Sequence, residues 1–412
     1  DGWFEMHERF GRLPMEEILA PAIKYAREGV PVTKYVAHHW ESYWPDLQED
    51  TTWLSETENY QATFLLDGQA PGEGDIFHNP DLANTLETIA DGGRDAFYEG
   101  TIAETIADYM DRVGGYISEQ DLAEHSSTWA DLISTNYRGY EVYEIPPNTQ
   151  GAATLQMLNI LEGYELSDMG HNSADYLHVM IEAKKLAFAD RARYYADPAF
   201  VDVPIERLLS KQYAAERRER IHMDSIITRV PAGDAQLERG DTIYLTTADS
   251  SGMMVSLIQS NYYPMGSGLV PDDLGFVLQN RGALLSMEQG HPNVYEPGKR
   301  PFHTIIPAFA TKDGEPFLSF GLMGGALQPQ TQVQTFSRIV DFGMNVQEAG
   351  DAARWAHGGS PGPTGGRMSD GGSVTLENGV PPAVVEELRR RGHEIDITKG
   401  TGGVYHAIRW DR

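Results

Sequence analysis

The chain contains no cysteine. That excludes disulfides, thiolate metal sites and a cysteine nucleophile, and it leaves the redox compartment open. No apolar run approaches the ~20 residues that a membrane-spanning helix needs. No signal peptide is visible: Asp1-Gly2-Trp3-Phe4-Glu5 is acidic and aromatic. The chain begins mid-element, so its natural start is expected upstream. Basic residues are few, 32 against 61 acidic ones, for a formal charge of −29. Such a surface repels nucleic acid and anionic membranes, and neither is expected as a partner. A solvated acidic surface explains the charge; a salt-adapted source is a second explanation. Internal repeats and low-complexity tracts are also lacking.

What remains is an ordinary globular composition, with 41% hydrophobic and 10% aromatic residues over 412 positions. It suffices for one large domain or two smaller ones. The first part reads as mostly helical. Helices are predicted from Leu13 to a stop at Gly29, over Val32–Trp44, over Asp81–Ala90 with a break at Gly92-Gly93, and over Gly100–Asp111. Two short strands are predicted within 127–145. The turn Pro146-Pro147-Asn148-Thr149-Gln150-Gly151 feeds another helix, and Ser173 caps a long one to about Ala196. Its apolar residues Leu177, Met180, Ile181, Leu186 and Phe188 mark a buried face. Residues 223–240 read as an exposed linker.

Strands then dominate: Thr242–Thr247, Met253–Ser260, Gly275–Gln279, Thr304–Thr311 and Pro316–Gly321. Helices over Gln330–Phe342 and Val346–Ala356 follow. A glycine-rich loop from Gly358 to Gly372, a short strand, a helix at Pro381–Arg391 and a strand near Val404–Arg409 complete the chain.

Several chemistries lack their residues. His38-His39 are adjacent on a predicted helix and point in different directions. The other histidines show no His-x-x-x-His spacing, so no metal is expected. Neither a Gly-x-Ser-x-Gly elbow nor a phosphate-binding loop is present, and no cofactor is expected. Three features remain. Thr242 opens a strand after Gly240-Asp241. It is either a plain β-former or a latent N-terminal nucleophile, released when the chain cuts itself between Asp241 and Thr242. Ser260 closes the returning strand, where a hairpin can set its hydroxyl beside Thr242; alone it also reads as a turn former. Gly324-Gly325 lie between a strand and a helix. They read as a simple turn or as a place where backbone N–H groups face a cavity and hold an oxyanion.

With these features go Trp3 to Pro14 (WFEMHERFGRLP), Pro146 to Gly151, Gln156 to Glu162, Glu182-Ala183-Lys184-Lys185-Leu186-Ala187-Phe188-Ala189-Asp190-Arg191, Val255 to Asn261 and Lys299-Arg300-Pro301. In this order, over essentially the whole chain, the motifs resemble the γ-glutamyltranspeptidase family of N-terminal-nucleophile hydrolases, nearest in detail to its cephalosporin-acylase-like branch. The resemblance implies an α+β fold of four αββα layers. It implies a large fragment, 1–241, and a small fragment, 242–412, that begins with the nucleophile and shares one domain with the first. It further implies that Thr242 attacks a γ-glutamyl or related acyl amide, that Ser260 supports it, and that Gly324 and Gly325 hold the oxyanion. Water or an amino acid or peptide acceptor then takes the acyl group. The two fragments are expected to stay associated, with a dimer of heterodimers as one assembly open to them. Localisation stays open between cytoplasm and a secreted or periplasmic site.

The departures from the family pattern fall where substrate is held. An acidic pair that grips the α-amino group would follow Asn280, where this chain has Arg281-Gly282. A Ser-Ser pair is replaced by His303-Thr304, and an Asn by Tyr262. The segment from Ser286 to Lys299 is short, so the lid loop of some members is expected to be absent. The family's carboxylate-binding Arg would lie before Asp1. Tyr262, Arg281, His303 and Thr304 are therefore the expected substrate-facing residues, and glutaryl amides become an alternative to γ-glutamyl ones. A silent binding protein that keeps the fold is the alternative of a different class.

Overall fold

A computed structural model describes residues 1–49, 56–229, 241–365, 368 and 370–411. The expected linker lies mostly outside them. The chain divides into two compact units, one of residues 1–129 and 263–280, the other of 130–262 and 281–412.

The first unit is helical. It holds α1 (Gly2–Phe10), α2 (Met15–Glu28), β1 (Val30–Pro31), α3 (Lys34–Glu49), α4 (Glu58–Phe64), β2 (Ile76–Phe77), α5 (Pro80–Tyr98), α6 (Thr101–Val113) and α7 (Glu119–Ala123). Gly29 ends α2 at φ 88°, as the sequence predicts. Gly92-Gly93 kinks α5 instead of ending it, with Gly93 at φ 70° inside the helix. Leu19, Ile89, Ile102, Ile106, Tyr109 and Leu274 form one apolar core. The strand predicted at Gly275–Gln279 is absent. Its start is an irregular segment held by side chains: Asn79 Nδ2 donates to Gly275 O (2.8 Å) and Thr85 Oγ1 to Leu274 O (2.9 Å). Burial does not alternate along these residues, and Leu278 bonds back to Ser267 and Leu269 instead of to a neighbouring strand.

The second unit begins with the hairpin β3 (Ile133–Tyr137) and β4 (Tyr140–Glu144), then α8 (Gly151–Leu161), α9 (Leu166–Met169), α10 (Ala174–Tyr194), α11 (Ile205–Leu208) and α12 (Lys211–Arg218). The hairpin β5 (Asp241–Ala248) and β6 (Met254–Tyr262) follows, then β7 (Ala308–Lys312), β8 (Glu315–Leu322), α13 (Leu327–Phe342) and α14 (Val346–Asp351). The chain closes with β9 (Trp355–His357), β10 (Ser373–Glu377), α15 (Pro382–Arg390), β11 (Glu394–Thr398) and β12 (Tyr405–Arg409). The helix predicted over Val346–Ala356 ends at Asp351, so Trp355-Ala356 belong to strand β9, and β11 was missed.

Its centre is an antiparallel sheet in the order β12-β8-β7-β4-β3. The period of two along β8 decides what packs where. Leu318, Phe320 and Leu322 are fully buried, and the Phe320 ring stacks on Phe336 of α13 at 5.5 Å. Ser319 and Gly321 face the other way and meet β5. Thr246 Oγ1 lies 2.6 Å and Tyr244 Oη 3.4 Å from Ser319 Oγ. Helices therefore cover one face of the sheet and the β5–β6 hairpin covers the other, as in stacked-sheet sandwiches. α10 is buried on all sides, from Tyr176 to Ala192, and not on one face only. Its charged residues from Glu182 to Arg191 are enclosed and hydrogen-bonded.

The fit between β5 and β8 is close. A Cβ on Gly321 would lie 2.5 Å from the Tyr244 ring, so only glycine admits that ring. Gly321→Ala should destabilise the protein by about 1–3 kcal/mol, because a rigid ring and two strands must shift. A lower urea midpoint at unchanged slope checks this; an unchanged midpoint would mean that the two sheets separate easily.

Candidate active site

Along β5, Thr242 and Tyr244 are buried while Ile243 and Leu245 are exposed, so every second side chain enters the space between the sheets. Thr246 meets Ser319 and Tyr244 meets Gly321. Thr242, two residues before Tyr244, is the first inward residue of β5.

Thr242 sits at an irregularity. The ladder pairs Asp241 with Tyr262 and Ile243 with Gln259, so Ser260 and Asn261 together oppose Thr242. This bulge re-aims the returning strand. Thr242 Oγ1 donates to Ser260 Oγ at 3.1 Å, and the Tyr262 backbone N–H donates to the same oxygen at 2.9 Å. Tyr262 leaves the bulge at φ 82°, a region that β-carbon-bearing residues seldom occupy. Such strain is characteristic of functional sites.

After Leu322 the chain turns through Gly324 (φ 127°) and Gly325 (φ 55°), both unfavourable for any other residue. The carbonyls of Gly324 and Gly325 receive the Leu327 and Gln328 N–H groups at 2.9 and 3.3 Å and so start α13. Among the described residues, nothing accepts from the N–H of Gly324 or of Gly325. The turn is braced from behind. Gln150 Nε2 donates to Gly325 O (2.8 Å) and Thr304 O (2.7 Å), and Arg191 Nη1 donates to Gln150 Oε1 (2.7 Å).

The four residues expected at the substrate form one cluster. The Arg281 guanidinium lies 5.1 Å from the Tyr262 ring centroid, and its Nη1 donates to Thr304 Oγ1 at 3.1 Å. His303 N bonds Asn148 O at 3.0 Å. Burial, with Arg281 and Arg300 nearby, pushes the His303 imidazole down to about 3, so it is neutral at pH 7. Burial lowers the Arg281 guanidinium to about 10, which leaves it charged. Tyr262, Arg281 and Thr304 are buried, so they form a wall; His303 is the partly exposed member.

Gln150, Arg191, Tyr244 and Gly321 were not singled out as site residues. Gln150 and Arg191 lie in the motifs Pro146–Gly151 and Glu182–Arg191, and a glutamine in a turn or an arginine closing a helix says nothing of its distant partner. A second cluster was also missed. His178 and Glu182, one turn apart on α10, meet His393, with ligand atoms within 4.8 Å of one another. Its bonds are already filled. Glu182 receives Lys185 Nζ (2.7 Å) and Ile227 N (2.8 Å). His178 Nε2–H donates to His222 O (2.9 Å), so its Nδ1 accepts from His393 Nε2–H at 2.8 Å. The Lys185 ammonium occupies the place that a cation would need, and we read the cluster as a buried network.

Comparisons with known proteins show the family and the fold. The family model described as gamma-glutamyltranspeptidase matches residues 1–412. A glutathione hydrolase-like proenzyme (YwrD) of Bacillus subtilis is 38% identical over 96% of this chain and 72% of its own. The acylase ACY 1 proenzyme of Pseudomonas sp. strain SE83 is 36% identical over 99% of this chain and 70% of its own. The crystal structure of a cephalosporin acylase from Bacillus halodurans superposes with a TM-score of 0.89 at 40% identity, over 100% of this chain and 73% of that one. The fold is that of the N-terminal-nucleophile hydrolases, α+β in layers. The chain belongs to the γ-glutamyltranspeptidase family. Among the described residues, no helix is long and apolar enough to cross a membrane.

The histidine pair gives a pH dependence. Burial depresses His178, and burial with Lys185 and then His178 depresses His393 to about 2. A folded value below the unfolded one, roughly 6.5, means that the unfolded chain binds protons first; stability is full above pH 6.5 and falls as pH drops below it. His393→Gln keeps an N–H donor to His178 and does not titrate. It should remove about 1–2 kcal/mol of the loss between pH 6.5 and 5. Urea midpoints at the two pH values measure this, and equal losses in variant and wild type would contradict it.

Proposed function

We propose that this chain is a self-cleaving amidohydrolase in which Thr242 is both the cleavage point and the nucleophile. The observation that carries this reading is the Thr242–Ser260 hydrogen bond at the β5–β6 bulge; a glycine turn with two unengaged N–H groups supports it.

In the precursor, Thr242 Oγ attacks the carbonyl carbon of Asp241. The peptide nitrogen leaves as the Thr242 amine, and the acyl group rests on Oγ as an ester. Water hydrolyses that ester, leaving a carboxylate on Asp241 and a free α-amino group on Thr242. That amine has a reference pKa of roughly 7.7–8.0, so near neutral pH part of it is free base beside its own hydroxyl. Nucleophile and base then reside in one residue, the threonine variant of triad logic. Ser260 Oγ accepts a hydrogen bond from the hydroxyl and fixes where Oγ points.

In turnover, Oγ attacks a substrate amide carbon while the amine takes the hydroxyl proton. The N–H groups of Gly324 and Gly325 stabilise the tetrahedral oxyanion. The substrate amine leaves with the proton, and water or an amino acid or peptide acceptor releases the acyl group. The large (1–241) and small (242–412) fragments stay together, because β4 of the first pairs with β7 of the second in the central sheet.

The acyl group is γ-glutamyl or a close relative. Arg281 favours a second reading. Where the family pattern places acids for an α-ammonium, this chain places a buried guanidinium, next to a neutral His303. A cation there suits an acyl chain ending in carboxylate alone, such as glutaryl. Release of a chromophore from γ-glutamyl and glutaryl anilides separates the two. The second reading predicts the higher kcat/KM for the glutaryl compound; preference for the γ-glutamyl one would remove it, and turnover of neither would count against the enzyme itself. Ser260→Ala in the processed protein should lower kcat about tenfold to a hundredfold, as expected for loss of one hydrogen bond to the reacting hydroxyl. An unchanged kcat would take Ser260 out of the mechanism.

A further inference from the structure

A cavity of about 400 Å³ opens in the second unit, between α10, the start of α13 and the β9–β10–β11 sheet. That volume is in the range of small-molecule sites. None of Thr242, Ser260, Gly324, Gly325, His303 or Thr304 lines it. Its wall carries two cations from α10, Lys184 and Arg191, with the hydroxyls of Ser360, Ser373 and Thr375 and the exposed carboxylate of Asp396.

Both cations are held in place. Lys184 Nζ donates to His357 Nδ1 (3.0 Å), His357 O (2.8 Å) and Ser360 Oγ (2.9 Å). His357 Nε2–H donates to Gly371 O (2.8 Å), which fixes Nδ1 as the acceptor and the ring as neutral. Arg191 is 3% exposed, and its guanidinium lies 3.8 Å from the Phe188 ring centroid. Its Nη1 is used on Gln150, but its Nε has no partner, and no carboxylate pairs with it among the described residues. A buried guanidinium lacking a carboxylate is costly unless an anion answers it. The cavity beside it has room for one.

We propose that this cavity is a second binding site, separate from the Thr242 centre, for a small amino acid. Its carboxylate sits against the Arg191 guanidinium with the Lys184 charge close by, its side chain lies among the serine and threonine hydroxyls, and its ammonium faces Asp396 at the mouth. The claim that the site is separate rests on the reading of Thr242 as the reaction centre, so the test uses a protein in which that centre is disabled.

Glutamate is titrated calorimetrically into wild type and Thr242→Ala, and then into Lys184→Met and Ser373→Leu, each in the Thr242→Ala background. Ser373→Leu fills the cavity and leaves both cations in place. The expected result is saturable binding that survives Thr242→Ala and weakens at least about tenfold in the other two, as for loss of a charge-assisted contact or of the space itself. The uncharged glutaramide should not bind. Should Lys184→Met not fold, Ser373→Leu decides alone. No saturable glutamate binding to either parent protein, or undiminished binding to a folded Ser373→Leu variant, overturns the proposal. Failure of the Thr242 reading would instead show as turnover by Thr242→Ala, which leaves the binding result standing.

Discussion

The stacking of β5 on β8 is the constraint on which the rest of the site depends. Two contacts fix it: Thr246 on Ser319 and Tyr244 over Gly321. Slipping β5 by one residue would turn Thr242 outward and bring Ile243 in, because strand side chains alternate. The register therefore determines which hydroxyl faces inward between the sheets. A bulge then adds the one extra residue on β6 that brings Ser260 within hydrogen-bond reach. The chemistry that we propose follows from these two backbone facts, before any pKa or charge enters.

A second layer of order lies behind the reaction centre. Arg191 holds Gln150, and Gln150 holds the carbonyls of Gly325 and Thr304. With its carbonyl bonded to Gln150, Gly325 keeps its N–H in a fixed direction, and preorganised donors of this kind are what stabilise an oxyanion. The bracing residues come from the α8 turn and α10, early in the chain, and act on a turn after β8. This shared dependence explains how fragments from either side of Asp241–Thr242 can form one working unit.

Much of the fold was legible in the sequence. The alternation in Thr242–Thr247, the polar turn at Asp249-Ser250-Ser251-Gly252 and the run to Ser260 gave the hairpin, and the glycines at 324 and 325 gave the turn. Local pattern identifies such features because they obey local rules: period two, turn chemistry and positive φ. Partnership was not legible. Nothing near Gln150 says that it bonds residues 304 and 325, and nothing in α10 says that Lys184 and Arg191 face a cavity. The all-round burial of α10 was missed because its lysines, glutamate and arginine mimic a solvent face, while each is bonded to another element. The strand misread at Gly275 fails for the same reason, since the donors Asn79 and Thr85 lie almost two hundred residues away. The resemblance of the motifs, and not their local pattern, joined Thr242, Ser260 and Gly324-Gly325 into one site.

The central claim is that the peptide bond before Thr242 is cut by Thr242 itself. Intact-mass and N-terminal sequencing of the purified protein after prolonged incubation test it most directly, with Thr242→Ala alongside. The account predicts a small fragment whose first residues are Thr-Ile-Tyr-Leu, and a Thr242→Ala chain that stays whole. A wild-type chain that remains uncut, a fragment that begins elsewhere, or cleavage of the alanine variant at the same bond would contradict it.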